Sequence, residues 1–586
     1  MSFEVFDMDR FKKIFTKNLS PRQKQYEALR MVAVEGKTFH EAAEKFGYSP
    51  HTLRNLKQMA LTKKIEFFPD PAAQPRCPKT SDDKIEKVIE LRKQGHSMYD
   101  IFSVLKKEKA DVPLSTIGLI LSQSGMAKLN RRTDAERGVT VKNTLISDRS
   151  MALDFAKLRP FKIDCPVAGL YLFLPYILEG GIIDVIKKCA LPKSADLNSV
   201  HAAMSMLLLK LMGNERLSHI RSYDQEPGLG IAAGLNVLPK PSYMCSYSCR
   251  TNEKMLEKLQ REVIQNFKKQ YPGLYGGDII NLDFHSIPHF GEESQMEKVW
   301  CGARGKSLKG ASTILAQDAK NDVILYTRSD FLRKNETQEI KKFVDYWIEV
   351  NGKLNETLVF DCKLTSYKVL GEIDERPSPV KFITLRKRNK KLLEETAAIA
   401  DDQWERTYLP IPKRKNTRFL VHECQVQLPG CKRKLRQIII KDHGRVRPTF
   451  IITNNFDLDV KQVLTVYAKR WHIENKINEL VSFFNLNALS SPLMIRIHFD
   501  IFWTVIADTL YRRFAMDLPR FEKARAGTLF KRFINFPGRI EFDGKSFAVK
   551  IRKRGHTPLI LGIEKLNTPI NVPWLNNLPL KIEWTA

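Results

Sequence analysis

Tyr467-Ala468-Lys469-Arg470-Trp471-His472-Ile473-Glu474 is the stretch on which the reading of this chain turns. As one helix, it places Tyr467, Arg470 and Glu474 three and four residues apart, on a single face. Val466, Ile473, Ile477, Leu480 and Phe484 make a mostly apolar face beside it. An aromatic ring, a cation and a carboxylate on one stripe suit a phosphodiester site, with Glu for metal, Arg for phosphate oxygens and Tyr to position. A lone Arg and Glu at this spacing is more often a surface ion pair on an amphipathic helix. Here the context weighs against that: a β-like run, Pro448 to Thr453, comes just before, and two strand-borne carboxylates lie upstream.

Those carboxylates are Asp283, on the strand-like run Ile279-Ile-Asn-Leu-Asp283-Phe-His, and Asp361, which ends the apolar run Glu356-Thr-Leu-Val-Phe-Asp361. Ser312 to Leu315 and Asp322 to Arg328 read as two strands completing an antiparallel meander. Thr337 to Val350 has helical periodicity, with Ile340, Phe343, Val344 and Trp347 on one face. A short helix, Thr365 to Leu370, and a strand, Val380 to Arg386, follow. Three strands, helix, strand, helix, strand is the ribonuclease-H-like order. That fold places acidic ligands on its first strand and at the end of its fourth. The fold class expected is therefore multidomain α+β and α/β with a ribonuclease-H-like core.

Tyr-x2-Arg-Trp-x-Ile-Glu, preceded by the strand Phe450-Ile-Ile-Thr-Asn-Asn, resembles the C-terminal signature of the DDE transposases of bacterial insertion sequences. The nearer resemblance is to the branch reading Y-x2-R-x3-E-x6-K. Tyr467, Arg470 and Glu474 match it, whereas Val481 stands where that signature has its Lys. The resemblance implies Asp283, Asp361 and Glu474 as the catalytic and metal-binding triad. It also implies water attack at an element's end, then attack of the released 3′-OH on target DNA. The partners implied are double-stranded DNA, both element ends and target, and a second copy of the chain in the DNA complex. Three hard oxygen ligands select Mg²⁺ or Mn²⁺, two ions per site. Two other readings stay open: a metal-dependent nuclease of the same fold, and a transposase-derived DNA-binding protein without catalysis. His285 lies two residues past Asp283 and either enters the site or packs; Trp471 is expected to fill the core.

A formal net charge of +30 and a pI near 9.6 point to a polyanionic partner. Residues 381–447 alone hold eighteen Lys and Arg against seven Asp and Glu, about a third of the whole excess. Thr417 to Gln427 and Leu435 to Lys441 make this a β-rich insertion, which the resemblance also implies. Its Lys413, Arg414, Lys432 and Arg433 are candidate DNA-backbone contacts. Nine cysteines without zinc-ribbon spacing suggest reduced thiols. No signal peptide and no long apolar run are visible, so no membrane partner is expected. A cytoplasmic protein associated with the bacterial nucleoid is expected.

Toward the N-terminus, Pro21 to Glu35 reads as a helix. Thr38 and Glu41 form a capping box for a second, Phe39 to Phe46, and Gly47 turns into a third from Pro50 to about Met59. That is the helix-turn-helix pattern. His51, Thr52, Arg54, Asn55 and Lys57 on the third helix are the candidate DNA readers; a generic three-helix bundle is the alternative. A second such unit follows, with Ser97 capping Met98 to Lys107 and Ser115 capping Thr116 to Ser122. The segments expected are 1–62 and 78–128 as these two units, 160–270 as a helical module, and 275–389 as the first part of the core. The insertion is 390–448, the second part of the core 449–530, and a β-rich C-terminal segment 531–586.

Overall fold

The computed structural model describes residues 21–62, 67, 80–126, 149–214, 217–289, 296–301, 305–329, 331–410, 417–488 and 493–586. The chain divides into two compact units, residues 1–132 and 133–586.

In the first unit, helices α1 (Pro21–Ala33), α2 (Phe39–Phe46) and α3 (Pro50–Leu61) close on Ala28, Met31, Ala42, Ala43, Leu53 and Leu56. The start of α2 carries the expected capping box. The Glu41 N–H donates to Thr38 Oγ1 at 3.2 Å, and the Thr38 N–H to Glu41 Oε2 at 2.8 Å. Gly47 ends α2 at φ +65°, a left-handed conformation that glycine adopts without strain. Ser49 caps α3, and Pro50 occupies its first turn. Helices α4 (Asp82–Lys93), α5 (Met98–Lys107) and α6 (Leu114–Gln123) form a second cluster around Val88, Ile101, Leu105 and Ile117. Here α6 starts at Leu114 behind Pro113, with no side-chain cap, rather than at a Ser115 cap. Proline's fixed φ already suits entry to a helix.

In the second unit, ten strands form one sheet. Its first half is β2 (Ile279–Pro288), β3 (Lys298–Cys301), β4 (Lys306–Asp318), β5 (Val323–Arg328), β6 (Thr357–Phe360) and β7 (Phe382–Leu385). β4 runs antiparallel to both β2 and β5, while β2, β6 and β7 lie parallel in that order. Helix α9 (Glu339–Asn351) connects β5 to β6 and helix α10 (Tyr367–Asp374) connects β6 to β7. This is the ribonuclease-H-like strand order expected. β4 is longer than its reading, and its hairpin with β3 was not foreseen.

The insertion continues the same sheet. β8 (Glu405–Tyr408), β9 (Arg418–Val426), β10 (Leu435–Lys441) and β11 (Thr449–Thr453) add on in the order β7-β11-β10-β9-β8. The turn between β9 and β10 tucks against α10, where a Cβ on Gly371 would meet the Gly430 carbonyl oxygen at 2.0 Å. Only glycine permits that approach.

Around the sheet lie α7 (Ser199–Leu211), α8 (Glu253–Gln270), α11 (Val460–Lys469), α12 (Trp471–Ser482) and α13 (Met494–Met516). α13 is buried on all sides from Ile497 to Tyr511, which is why its sequence shows little amphipathic contrast. It brings Asp500 to Lys210 of α7, a buried pair at 2.7 Å. A second, five-stranded sheet joins distant ends of this unit. β1 (Phe161–Cys165), which was read as part of a helical stretch, pairs with β12 (Gly538–Phe542). The order continues through β13 (Phe547–Arg552), β15 (Leu578–Thr585) and β14 (Ile570–Val572).

Candidate functional site

The site begins where the pairing of two parallel strands ends. Leu282 of β2 and Phe360 of β6 are the last paired residues of their ladder. Asp283 and Asp361 come next on each strand, so the register alone sets them side by side, about 5 Å apart in backbone. The Phe284 N–H donates to Asp283 Oδ1 at 2.8 Å, and the Lys363 N–H to Asp361 Oδ1 at 2.8 Å. The hydroxyls of Thr365 and Thr384 both donate to the Asp361 carbonyl at 3.3 Å, holding the end of β6 in place.

The third element is not the single helix expected. α11 stops at Lys469 and α12 starts at Trp471, with Arg470 in a tightened turn between them. The Arg470 N–H donates to the Tyr467 carbonyl at 3.1 Å, three residues back rather than four. From that turn the guanidinium reaches two carboxylates. Nη1 donates to Asp283 Oδ2 at 2.9 Å and Nη2 to Glu474 Oε1 at 2.6 Å. The i, i+4 relation thus survives the break, and the cation bridges a strand to a helix.

The electrostatics follow from burial. It pushes the Asp283 carboxyl up to about 6; Arg470 draws it back, while Asp361 and Glu474 add to the rise. Arg470 loses solvation too, but Asp283, foremost, holds its charge more firmly than usual. Burial pushes the Tyr467 phenol up to about 12. Tyr467, Arg470, Trp471 and Glu474 line a hollow of about 370 Å³ together with Asp361. Trp471 stands in that hollow, stacked on His472 at 4.3 Å, rather than in the core. His285 is half-buried, its Nε2 2.6 Å from Asn487 Oδ1, and desolvation lowers its pKa. His443, Arg445 and Thr449 also line the hollow. His443 and Arg445 lie in the loop between β10 and β11 and Thr449 opens β11, and no spacing in the sequence links them to Asp361.

The other sequence candidates lie elsewhere. Side chains of His51, Thr52, Arg54, Asn55 and Lys57 are all exposed on α3. Lys432 and Arg433 are engaged within the fold: Lys432 pairs with Glu375 at 2.8 Å, and Arg433 with the buried Asp374 at 2.9 Å. Lys413 and Arg414 lie outside the described residues.

For a metal ion, the donor set is all oxygen, which suits Mg²⁺ or Mn²⁺. Among the described residues, no three His, Cys, Asp or Glu side chains are gathered closely enough to enclose an ion. The guanidinium of Arg470 lies between Asp283 and Glu474, where the carboxylates call for positive charge. The residues therefore fit a divalent ion in kind.

Strand order and the two aspartates set side by side on neighbouring parallel strands define a ribonuclease-H-like domain with an acidic, arginine-bridged site. Residues 275–509, which contain all of it, match the family profile described as "Transposase DDE domain". No curated protein matches the chain. Among solved structures, a piggyBac transposase synaptic complex with hairpin DNA is similar at 11% identity, covering 66% of this chain and 88% of that one, with a TM-score of 0.31. A pre-cleavage Mos1 transpososome is similar at 9% identity over 58% and 71%, with a TM-score of 0.10. Likeness at that level assigns no residue a role.

Proposed function

We propose that this chain is a DDE transposase that cuts the ends of a DNA element and joins them to target DNA. The observation that carries the reading is the juxtaposition of Asp283 and Asp361 just past the last paired residues of two adjacent parallel strands, with Arg470 bridging Asp283 to Glu474. The match of residues 275–509 to a transposase domain supports it.

In this reading Asp283, Asp361 and Glu474 would hold Mg²⁺ or Mn²⁺. Bound there, such ions activate an attacking hydroxyl and stabilise the leaving oxygen of a phosphodiester. The chain's own groups do the positioning. Arg470, charged and half-buried, binds the phosphate oxygens that lie between the carboxylates. Tyr467 stays a neutral phenol at physiological pH and donates a hydrogen bond rather than carrying charge. Trp471 and Tyr467 wall the hollow on the helix side. Recognition of element ends falls to the exposed face of α3, and the second three-helix cluster extends it. The chain works as a homodimer on two ends, in the bacterial cytoplasm.

The test is cleavage and joining of an end-containing duplex with Mg²⁺. Asp283→Ala, Asp361→Ala and Glu474→Ala should each abolish cutting while leaving end binding nearly intact. A folded variant that cuts normally would remove its residue from the triad. Cutting without joined products would make the protein a nuclease.

A further inference from the structure

Three of the basic insertion's cations, Lys432, Arg433 and Arg436, are engaged in pairs with carboxylates. The segment from Arg520 to His556 differs. It holds eleven Lys and Arg against three Asp and Glu in 37 residues. Lys523, Arg525, Lys531, Arg552 and Lys553 are exposed, and none has an ion-pair partner among the described residues.

Two of these cations lie beside the helix that carries Glu474. Lys523 and Arg525 line a polar hollow of about 180 Å³ together with Arg512, with His472, Asn475 and Lys476 of α12, and with the carboxylates of Asp322, Glu479 and Asp508. From there an aromatic cluster leads outward. The Phe521 ring lies 5.8 Å from that of His556, and the Phe533 ring 5.5 Å from it. Arg532 sits over Phe521 at 5.6 Å and within 2.9 Å of His556 Nε2. Arg552 is the last residue of β13, and the loop after it, which His556 ends, carries Lys553 and Arg554. Arg554 packs over Phe536 at 5.1 Å, which fixes the direction of the loop.

We propose that the segment Arg520–His556 is a binding strip for the phosphate backbone of duplex DNA, running from the end of α12 to the loop after β13. The proposal rests on the transposase reading only for the choice of DNA as the polyanion. The strip offers cations on a firm aromatic base. Contacts to phosphates carry no sequence information, so the strip should hold any sequence alike. A backbone entering the site between Asp361 and Arg470 would leave across α12, where His472 and Asn475 join the strip.

The test uses the full chain and fluorescence anisotropy on a random-sequence duplex and on an end-containing duplex, over a series of salt concentrations. Replacing Arg552, Lys553 and Arg554 by alanine should lower the slope of log affinity against log salt by about 2 to 3, since each lost contact removes about 0.9. The loss should be equal on both duplexes, and Arg552→Lys with Arg554→Lys should keep the wild-type slope. Lys523→Ala with Arg525→Ala should lower it by nearly 2. Unchanged slopes in both alanine variants overturn the strip. So does a loss confined to one duplex, or a loss of binding to phosphatidylserine vesicles with DNA binding intact. Cleavage is scored separately: a wild type that binds with its full slope but never cuts refutes the transposase reading while the strip stands.

Discussion

Replacing Arg470 by alanine removes the cation that bridges Asp283 and Glu474. The two contacts differ in weight. Glu474 is 53% exposed, so its i, i+4 pair contributes about 0.3–0.5 kcal/mol. Arg470 and Asp283 are each only 16% exposed, and a charge-assisted hydrogen bond in such a place contributes about 1.5–3 kcal/mol. Arg470→Ala should therefore destabilise the second unit by about 2–3 kcal/mol when no divalent ion is present. Adding Mg²⁺ should then help the variant more than the wild type, because a cation takes up the charge that the guanidinium supplied. At a hundredfold excess over its dissociation constant, an ion restores about 2.7 kcal/mol, close to the whole deficit. Tryptophan fluorescence during denaturant unfolding is the assay, since all seven tryptophans, from Trp300 to Trp584, lie in the second unit. A variant as stable as the wild type without Mg²⁺ refutes the claim that the ion pair matters. A deficit that Mg²⁺ leaves untouched refutes the carboxylates as a cation site.

Lys476→Met should cost about 3–5 kcal/mol, because it strands Asp508, which meets Lys476 at 2.8 Å with both side chains 2% exposed. Burial already raises the Asp508 pKa, so an unpartnered carboxyl would fold best protonated. The deficit should then be small near pH 4 and grow as pH rises, and Lys476→Met with Asp508→Leu should recover most of it; a deficit flat in pH would show that Asp508 is not its source. A fragment of residues 1–132 should shift end DNA in preference to scrambled DNA, and neutralising Arg54 and Lys57 should weaken that shift and flatten its salt dependence; equal affinity for both DNAs counts against a reader. Neutralising Lys432 and Arg433 should loosen the β9–β10 turn from α10, seen as faster amide exchange there, and change the DNA salt slope by less than 1. A slope change near 2 would mean that both residues reach DNA in spite of their ion pairs.

Local chemistry made much of this protein legible in its sequence. The capping box of Thr38 and Glu41, the turn at Gly47 and the cap at Ser49 are written within a few residues, so three N-terminal helices could be placed closely. β2, α9, β6 and β7 follow from apolar runs and helical periodicity, and with them the ribonuclease-H-like order. Asp283 and Asp361 stood out because each is a carboxylate on an apolar strand.

What the tertiary structure decided depends on partners far away in sequence. The register Leu282 with Phe360 sets the two aspartates together across 78 positions. The break at Arg470 leaves no local mark, since Tyr467 to Glu474 reads as continuous helix; folding is what sets Asp283 beside the guanidinium. β1 was missed because its five residues become a strand only by pairing with β12, more than 370 residues on. The charges of Lys432 and Lys523 look alike in sequence. Folding gives the first a carboxylate and leaves the second to solvent, because an ion pair, unlike a helix cap, is closed by whichever residue the fold delivers to it.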